Sequence, residues 1–171
     1  GIMFKTAVSL ENAGKTEIVA LDKTGTITSG EPKVTELYPI TPVTEEALLL
    51  AAGALEQKSE HPLARAVLEL AKERGIDCGD LTEFTAVPGN GLTGQRGTSF
   101  LAGGNAAFIG GQATIPEAAK AMAEQYSKQG KTPLFFSENG RLLGIIAVAD
   151  VIKEDSPRAI RELQNMGIRV V

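Results

Sequence analysis

The stretch TEIVALDKTGTITSG, residues 16–30, carries four apolar residues toward a core and stops on one carboxylate, Asp22. Lys23, Thr24, Gly25 and Thr26 follow at once. An uninterrupted apolar run is what a strand covered on both faces of a parallel sheet requires. In such sheets ligands bind beyond the carboxyl ends of the strands, and the run itself delivers Asp22 to that edge. Asp followed by Thr-Gly is also ordinary turn chemistry. Taken alone, Asp22 therefore fits a ligand-facing carboxylate and a turn cap equally well.

Three further strings hold residues able to bind a ligand. SEHPLA, residues 59–64, sets His61 before Pro62 at a helix start, where a polar residue is expected in any case. VPGNGLTG, residues 87–94, has Gly89, Gly91 and Gly94 at GxGxxG spacing. It opens a strand-like segment and not a Rossmann helix, so by itself it reads as a turn. GGN, residues 103–105, adds the pair Gly104–Asn105. The single cysteine, Cys78, allows no internal disulfide and no CxxC metal spacing, which fits a reducing compartment.

The elements that must position these residues are of two textures. LLGIIAVAD, residues 142–150, repeats the apolar run ending on aspartate, and GIRVV, residues 167–171, reads as a third such strand. Between them DSPRAIRELQNMG is a helix with Asp155 or Ser156 near its cap, Pro157 in its first turn and Gly167 past its end. Strand, helix, strand predicts a parallel crossover unit sharing a sheet with the run before Asp22. The middle of the chain differs. Helices are expected over TEEALLLAAGALEQ, HPLARAVLELAKERG and TIPEAAKAMAEQYSKQG, the last with Thr114 and Glu117 at capping-box spacing. Short strands lie either side of a turn at Arg96–Gly97, and Asn139–Gly140 is a hairpin signal. This predicts an α/β protein with an inserted α+β unit: residues 1–32 and 142–171 in the first domain, 33–141 in the insert.

As a complete string DKTGT is far more specific than its parts. It resembles the phosphorylation motif of P-type ATPases, and TIT at Thr26–Thr28 continues the likeness. SEHPL, with Glu56 five residues before His61, is similar to the nucleotide-binding signature of the heavy-metal (P1B) branch, the copper exporters above all. The resemblance runs in order along essentially the whole chain. It implies an incomplete Rossmann-like, HAD-type parallel-sheet phosphorylation domain with an inserted α+β nucleotide-binding domain. Asp22 would attack the γ-phosphate of ATP, with Lys23 and Thr24 beside it, and domain closure would bring the donor to it. Mg²⁺ would take an oxygen of Asp22 and the main-chain carbonyl of Thr24. ATP would be held by Glu56, His61, Gly89, Gly91, Leu92, Gly104 and Asn105, with Asn105 either bonding the nucleotide or holding its loop. Asp150 and Lys153 would lie near the active site or hinge; a structural strand end and a solvated lysine explain them equally well.

Thr24 separates two reactions on one scaffold. Related soluble phosphatases carry a second aspartate two positions after the nucleophile as general acid and base, and threonine does not ionise at neutral pH. A pump needs a phosphoenzyme that lasts. Soluble phosphatase and non-catalytic nucleotide-binding module are the rival readings, and Zn, Cd or Pb the rival ions to Cu(I). The implied partners are the rest of the same polypeptide (transmembrane helices, actuator domain and remaining phosphorylation domain) together with a metallochaperone or metal-binding domain. The implied location is the cytoplasmic face of the cell membrane. NMGIRVV finishes on a β-branched run, which reads as a segment of a longer protein.

Composition excludes other classes. The 171 residues are 43% hydrophobic and 22% charged, ordinary for a globular chain, and the formal net charge of −4 leaves no basic face for nucleic acid. Trp is absent and aromatics are few, which argues against a base-stacking platform. The longest apolar runs are about half the roughly 18–20 residues that a membrane span needs.

Overall fold

The computed structural model describes residues 3–171. In chain order the elements are α1 (Ala7–Ala13), β1 (Ile18–Val19), a tight turn at Lys23–Ile27, β2 (Thr28–Pro39), α2 (Glu45–Glu56) and α3 (Pro62–Glu73). There follow β3 (Thr82–Val87), β4 (Gly91–Arg96), β5 (Ser99–Gly104), α4 (Ala106–Gly110), α5 (Glu117–Lys128), β6 (Thr132–Glu138), β7 (Arg141–Ile152), α6 (Ser156–Asn165) and β8 (Arg169–Val170). They form two units: Pro32–Asp150, and the chain before and after it. Among the described residues no helix is long and apolar enough to cross a membrane.

In the flanking unit β1 and β8 pair in parallel, Ile18 with Arg169 and Val19 with Val170. Of the two strands that flank α6, β8 thus shares a sheet with β1, as expected, while β7 belongs to the other sheet, so the predicted crossover between them is not formed. The uninterrupted apolar run also predicts full burial of β1, and here the structure differs. Ile18 is 49% exposed, because among the described residues this sheet has only two strands.

The inserted unit is built on a six-stranded sheet of order β2-β7-β6-β5-β4-β3. Helices cover both faces. Leu101, Phe136, Ile146 and Val148 pack with α2 and α3 on one side, while Ala102, Phe135, Ile145 and Ala147 pack with α4 and α5 on the other. Helix α2 is apolar almost all round, from Leu48 to Leu55, as a helix shut between a sheet and a second helix must be.

Strand β7 corrects the expectation for residues 142–150. It is not a parallel strand beside β1 but an antiparallel strand of the inserted unit, paired with β6 from Thr132–Val148 to Glu138–Arg141. The Asn139–Gly140 turn dictates this: both residues are left-handed (φ 47° and 76°), the geometry of a two-residue hairpin. Continuous apolarity reports cover on two faces and is silent about strand direction. The chain accordingly leaves the insert after Asp150 and not after residue 141. Gly144 lets β2 approach, since a Cβ there would lie 2.5 Å from the Tyr38 carbonyl oxygen.

The capping box at Thr114 and Glu117 is also absent. Helix α5 starts after Pro116 with no side-chain cap, because Thr114 is drawn into a bridge with Arg141.

Candidate functional site

Strand β1 ends just before Asp22, which is extended (φ −66°, ψ 146°) and exposed. One carboxylate oxygen, Oδ1, accepts from the Lys23 amide at 2.8 Å, so the carboxylate also fastens the turn that follows. The turn is not regular: Thr24 is extended (ψ 122°) and Gly25 is left-handed (φ 76°). Thr28, 1% exposed, braces it from behind. Its hydroxyl donates to the Lys23 carbonyl at 3.0 Å and accepts from the Gly25 amide at 3.2 Å. The return segment adds three bonds. Lys153 Nζ donates to the Gly25 carbonyl (2.9 Å), the Lys153 amide to the Ile27 carbonyl (3.0 Å), and the Ser156 hydroxyl to the same Ile27 oxygen (2.8 Å). Ser156 therefore does not cap α6. It ties the helix start to the loop.

The result is an exposed carboxylate on a backbone held by side chains from elsewhere. Among the described residues no group of three or more His, Cys, Asp and Glu side chains gathers, so no all-protein metal cage is built. A single carboxylate at an open loop does fit Mg²⁺, which typically takes one or two carboxylates and completes its shell with water and phosphate oxygens.

In the inserted unit Glu56 ends α2 with 7% exposure. Burial pushes its carboxyl up to about 7, against a Ser59 hydrogen bond that lowers it. The Ser59 hydroxyl also accepts from the His61 amide (3.3 Å), so Ser59 links the Glu56 carboxyl to the main chain of His61. His61 is the N-cap of α3, with Pro62 in the first turn. Its Nδ1 accepts from the Leu63 amide at 3.2 Å, which in the neutral ring leaves the proton on Nε2. A cap and a ligand donor coexist in one imidazole.

Gly89, Gly91, Leu92, Gly104 and Asn105 come together where β4 begins and β5 ends. Gly91 pairs with Gly104 and Leu92 with Gly103. A Cβ on Gly91 would lie 2.3 Å from the Gly103 oxygen and 2.5 Å from Phe108, so its bareness serves internal packing. At Gly89 (φ 74°) a Cβ would meet nothing within 4 Å, so no atom of the protein covers its Cα on that side. Asn105 is committed to the loop at both ends of its amide: Nδ2 donates to the Gly89 carbonyl (3.2 Å) and Oδ1 accepts from the Phe108 amide (2.8 Å). Leu55, next to Glu56, reaches Gly103, which joins the helix side of the site to the strand side.

Two shallow clefts flank these residues. One of about 360 Å³ is lined by Ser59, His61, Pro62, Arg65 and Leu68 among others, and one of about 430 Å³ runs from Asn105 along α5. Glu56 and the glycines line neither. Sequence reading did not single out Thr28, Ser59 or Ser156 as site residues. Ser59 and Thr28 were within reach, as parts of the SEHPLA and TIT strings; Ser156 acts through a contact 129 residues away that no local string announces.

A model of the haloacid dehalogenase-like hydrolases matches residues 16–171. The copper-transporting ATPase 1 of Rhizobium meliloti is 38% identical over 172 residues, covering 99% of this chain and 21% of that protein. The probable copper-exporting P-type ATPase of Archaeoglobus fulgidus is 38% identical over 170 residues, again 99% of this chain and 21% of the relative. Among solved structures, a zinc-transporting PIB-type ATPase superposes with a TM-score of 0.85 at 32% identity, over 95% of this chain and 26% of that one. The chain thus spans about a fifth of the length of the curated relatives it matches.

Proposed function

The chain belongs to the haloacid dehalogenase-like hydrolases, and from that membership we propose that it is the ATP-binding and phosphorylation region of a heavy-metal-transporting P-type ATPase. Asp22 is the phosphate acceptor. One of its carboxylate oxygens attacks the γ-phosphorus of ATP; an O–P bond forms as the bond to the bridging oxygen breaks, and ADP leaves. A carboxylate is a weak nucleophile, so the reaction depends on alignment and on charge neutralisation. The braced turn at Lys23–Ile27 supplies the alignment. Lys23 and Thr24 lie beside the acceptor, and the hydroxyl of Thr24 offers no second carboxylate to help water attack the ester. Mg²⁺, when bound, neutralises phosphate charge, and Asp22 and the Thr24 carbonyl are the groups that would hold it.

The inserted unit binds ATP through Glu56, His61, Gly89, Gly91, Leu92, Gly104 and Asn105. The Nε2–H of His61 donates to the base, Gly89 admits close approach of the backbone, and Asn105 keeps the Gly89 loop in place. The remainder of the polypeptide is taken to hold transmembrane helices, an actuator domain and the rest of the phosphorylation domain, with this region at the cytoplasmic face and a metallochaperone or metal-binding domain as a further partner. Cu(I) is the proposed ion, because the relatives at 38% identity are copper transporters. Zinc is the second reading, favoured by the solved structure at 32% identity.

The observation that carries the proposal is the exposed Asp22 carboxylate at the end of β1, on a backbone held from behind. Acid-stable labelling of the complete protein by γ-labelled ATP tests it. Label is expected on the wild type and none on Asp22→Asn; label that survives the substitution removes Asp22 from the role.

A further inference from the structure

The residue three beyond the acceptor, Gly25, is held at both its amide and its carbonyl. Gly25 is exposed, left-handed (φ 76°), and a Cβ on it would meet no atom within 4 Å. Glycine is the residue with the most freedom to lose. Two hydrogen bonds hold it, one at each end. Its amide donates to the buried Thr28 hydroxyl at 3.2 Å, and its carbonyl accepts from the Lys153 ammonium at 2.9 Å. Lys153 is not a loose surface charge. Its own amide is tied to the Ile27 carbonyl (3.0 Å), and Ser156, 8% exposed, ties the next turn to the same oxygen (2.8 Å).

We infer that Lys153 is a positioning residue for phosphoryl transfer at Asp22, its ammonium fixing the Gly25 carbonyl and with it the backbone that receives the phosphoryl group. The inference rests on the reading of Asp22 as acceptor and adds a residue to it from outside the DKTGT string. Its chemistry follows from the weakness of the nucleophile: where alignment supplies the rate, a misplacement of about 1 Å costs about a hundredfold. A charge-assisted bond is roughly twice as strong as a neutral one, which suits a residue that must hold an exposed glycine against thermal motion. The lysine acts on the loop and not on the nucleotide, so its loss slows transfer without weakening ATP binding.

The test uses the complete ATPase containing this chain, measuring the rate of acid-stable labelling at saturating ATP and the ATP concentration that half-saturates it. Lys153→Met is expected to slow labelling by about ten- to a hundredfold, the range for losing a hydrogen bond from a charged donor. Half-saturation should stay within about twofold, and Lys153→Arg, which keeps a charged donor, should label within about threefold of wild type. Thr28→Val, which releases the amide end of the same residue, should slow labelling comparably, and the double variant should fall short of the product of the two losses. A wild-type rate for Lys153→Met, a loss that appears as weaker half-saturation, or an arginine variant as slow as the methionine one would overturn the inference. Should the methionine variant not fold, Thr28→Val carries the decision, and a wild-type rate for it is equally fatal. Wild-type labelling with Lys153→Met unaffected sinks this inference alone. No wild-type label, or label surviving Asp22→Asn, sinks the acceptor reading and this inference with it.

Discussion

Glu56 carries an acid–base consequence that its position in the string did not announce. Its folded-state pKa of about 7 lies above the ordinary 4.5, raised by burial against the Ser59 hydrogen bond. The folded chain therefore keeps a proton that the unfolded chain releases, and stability falls as pH rises through that window. At about 1.4 kcal/mol per pKa unit, the loss is on the order of 3 kcal/mol once both states are ionised. Denaturant unfolding at pH 5 and at pH 8 should show the wild type weaker at the higher pH, and Glu56→Gln should abolish most of that difference. A glutamine variant with the wild-type pH slope would place the titration elsewhere. Asp22 and His61 were legible because each sits in a short, specific string. Lys153 and Ser156 were not legible as loop anchors: their bonds to Gly25 and Ile27 span 128 and 129 residues.

Among the elements, α2 shows why a helix tolerates glycine in its last turn. A Cβ on Gly53 would fall 2.2 Å from the Cys78 sulfur. The lone cysteine is thus packing material, and burial pushes its thiol above the usual range. Gly53→Ala should destabilise by about 1–3 kcal/mol through overpacking, despite alanine's better helix propensity of about 1 kcal/mol. Cys78→Ala should recover part of that loss in the double variant, since the next nearest atom, Cys78 Cβ, is 3.3 Å away. Urea unfolding of the two single variants and the double gives the coupling, and a coupling of zero would contradict the packing account. Helices α2, α3 and α5 could be read from the sequence, and the β6–β7 turn from Asn139–Gly140. The partner of β7 could not be read from its own residues. The run from Leu142 to Val148 is buried on two faces, and that pattern is common to parallel and antiparallel neighbours.

At the scale of the molecule, the core is unevenly shared. Among the described residues every buried hydrophobic side chain lies between Leu48 and Val148, inside the inserted unit. Helix α1 buries none, and α6 buries only Ser156. A fragment of residues 32–150 should therefore fold cooperatively by itself, with an unfolding midpoint within a few degrees, about 5 °C, of the whole chain. In the whole chain, amides of β5, β6 and β7 should exchange slowest and those of β1 and β8 fastest. A fragment that melts gradually would show that the flanks contribute to the core. The two-unit division was visible as a change of texture along the sequence, and its far edge was displaced because β7 resembles the run before Asp22. The strand order has a last consequence. β2 and β7, which carry the chain into and out of the insert, are hydrogen-bonded neighbours. A lobe whose two leads emerge side by side imposes little stretching on its host, so evolution or an engineer can enlarge, trim or transplant it while the flanking loop that bears Asp22 stays in register.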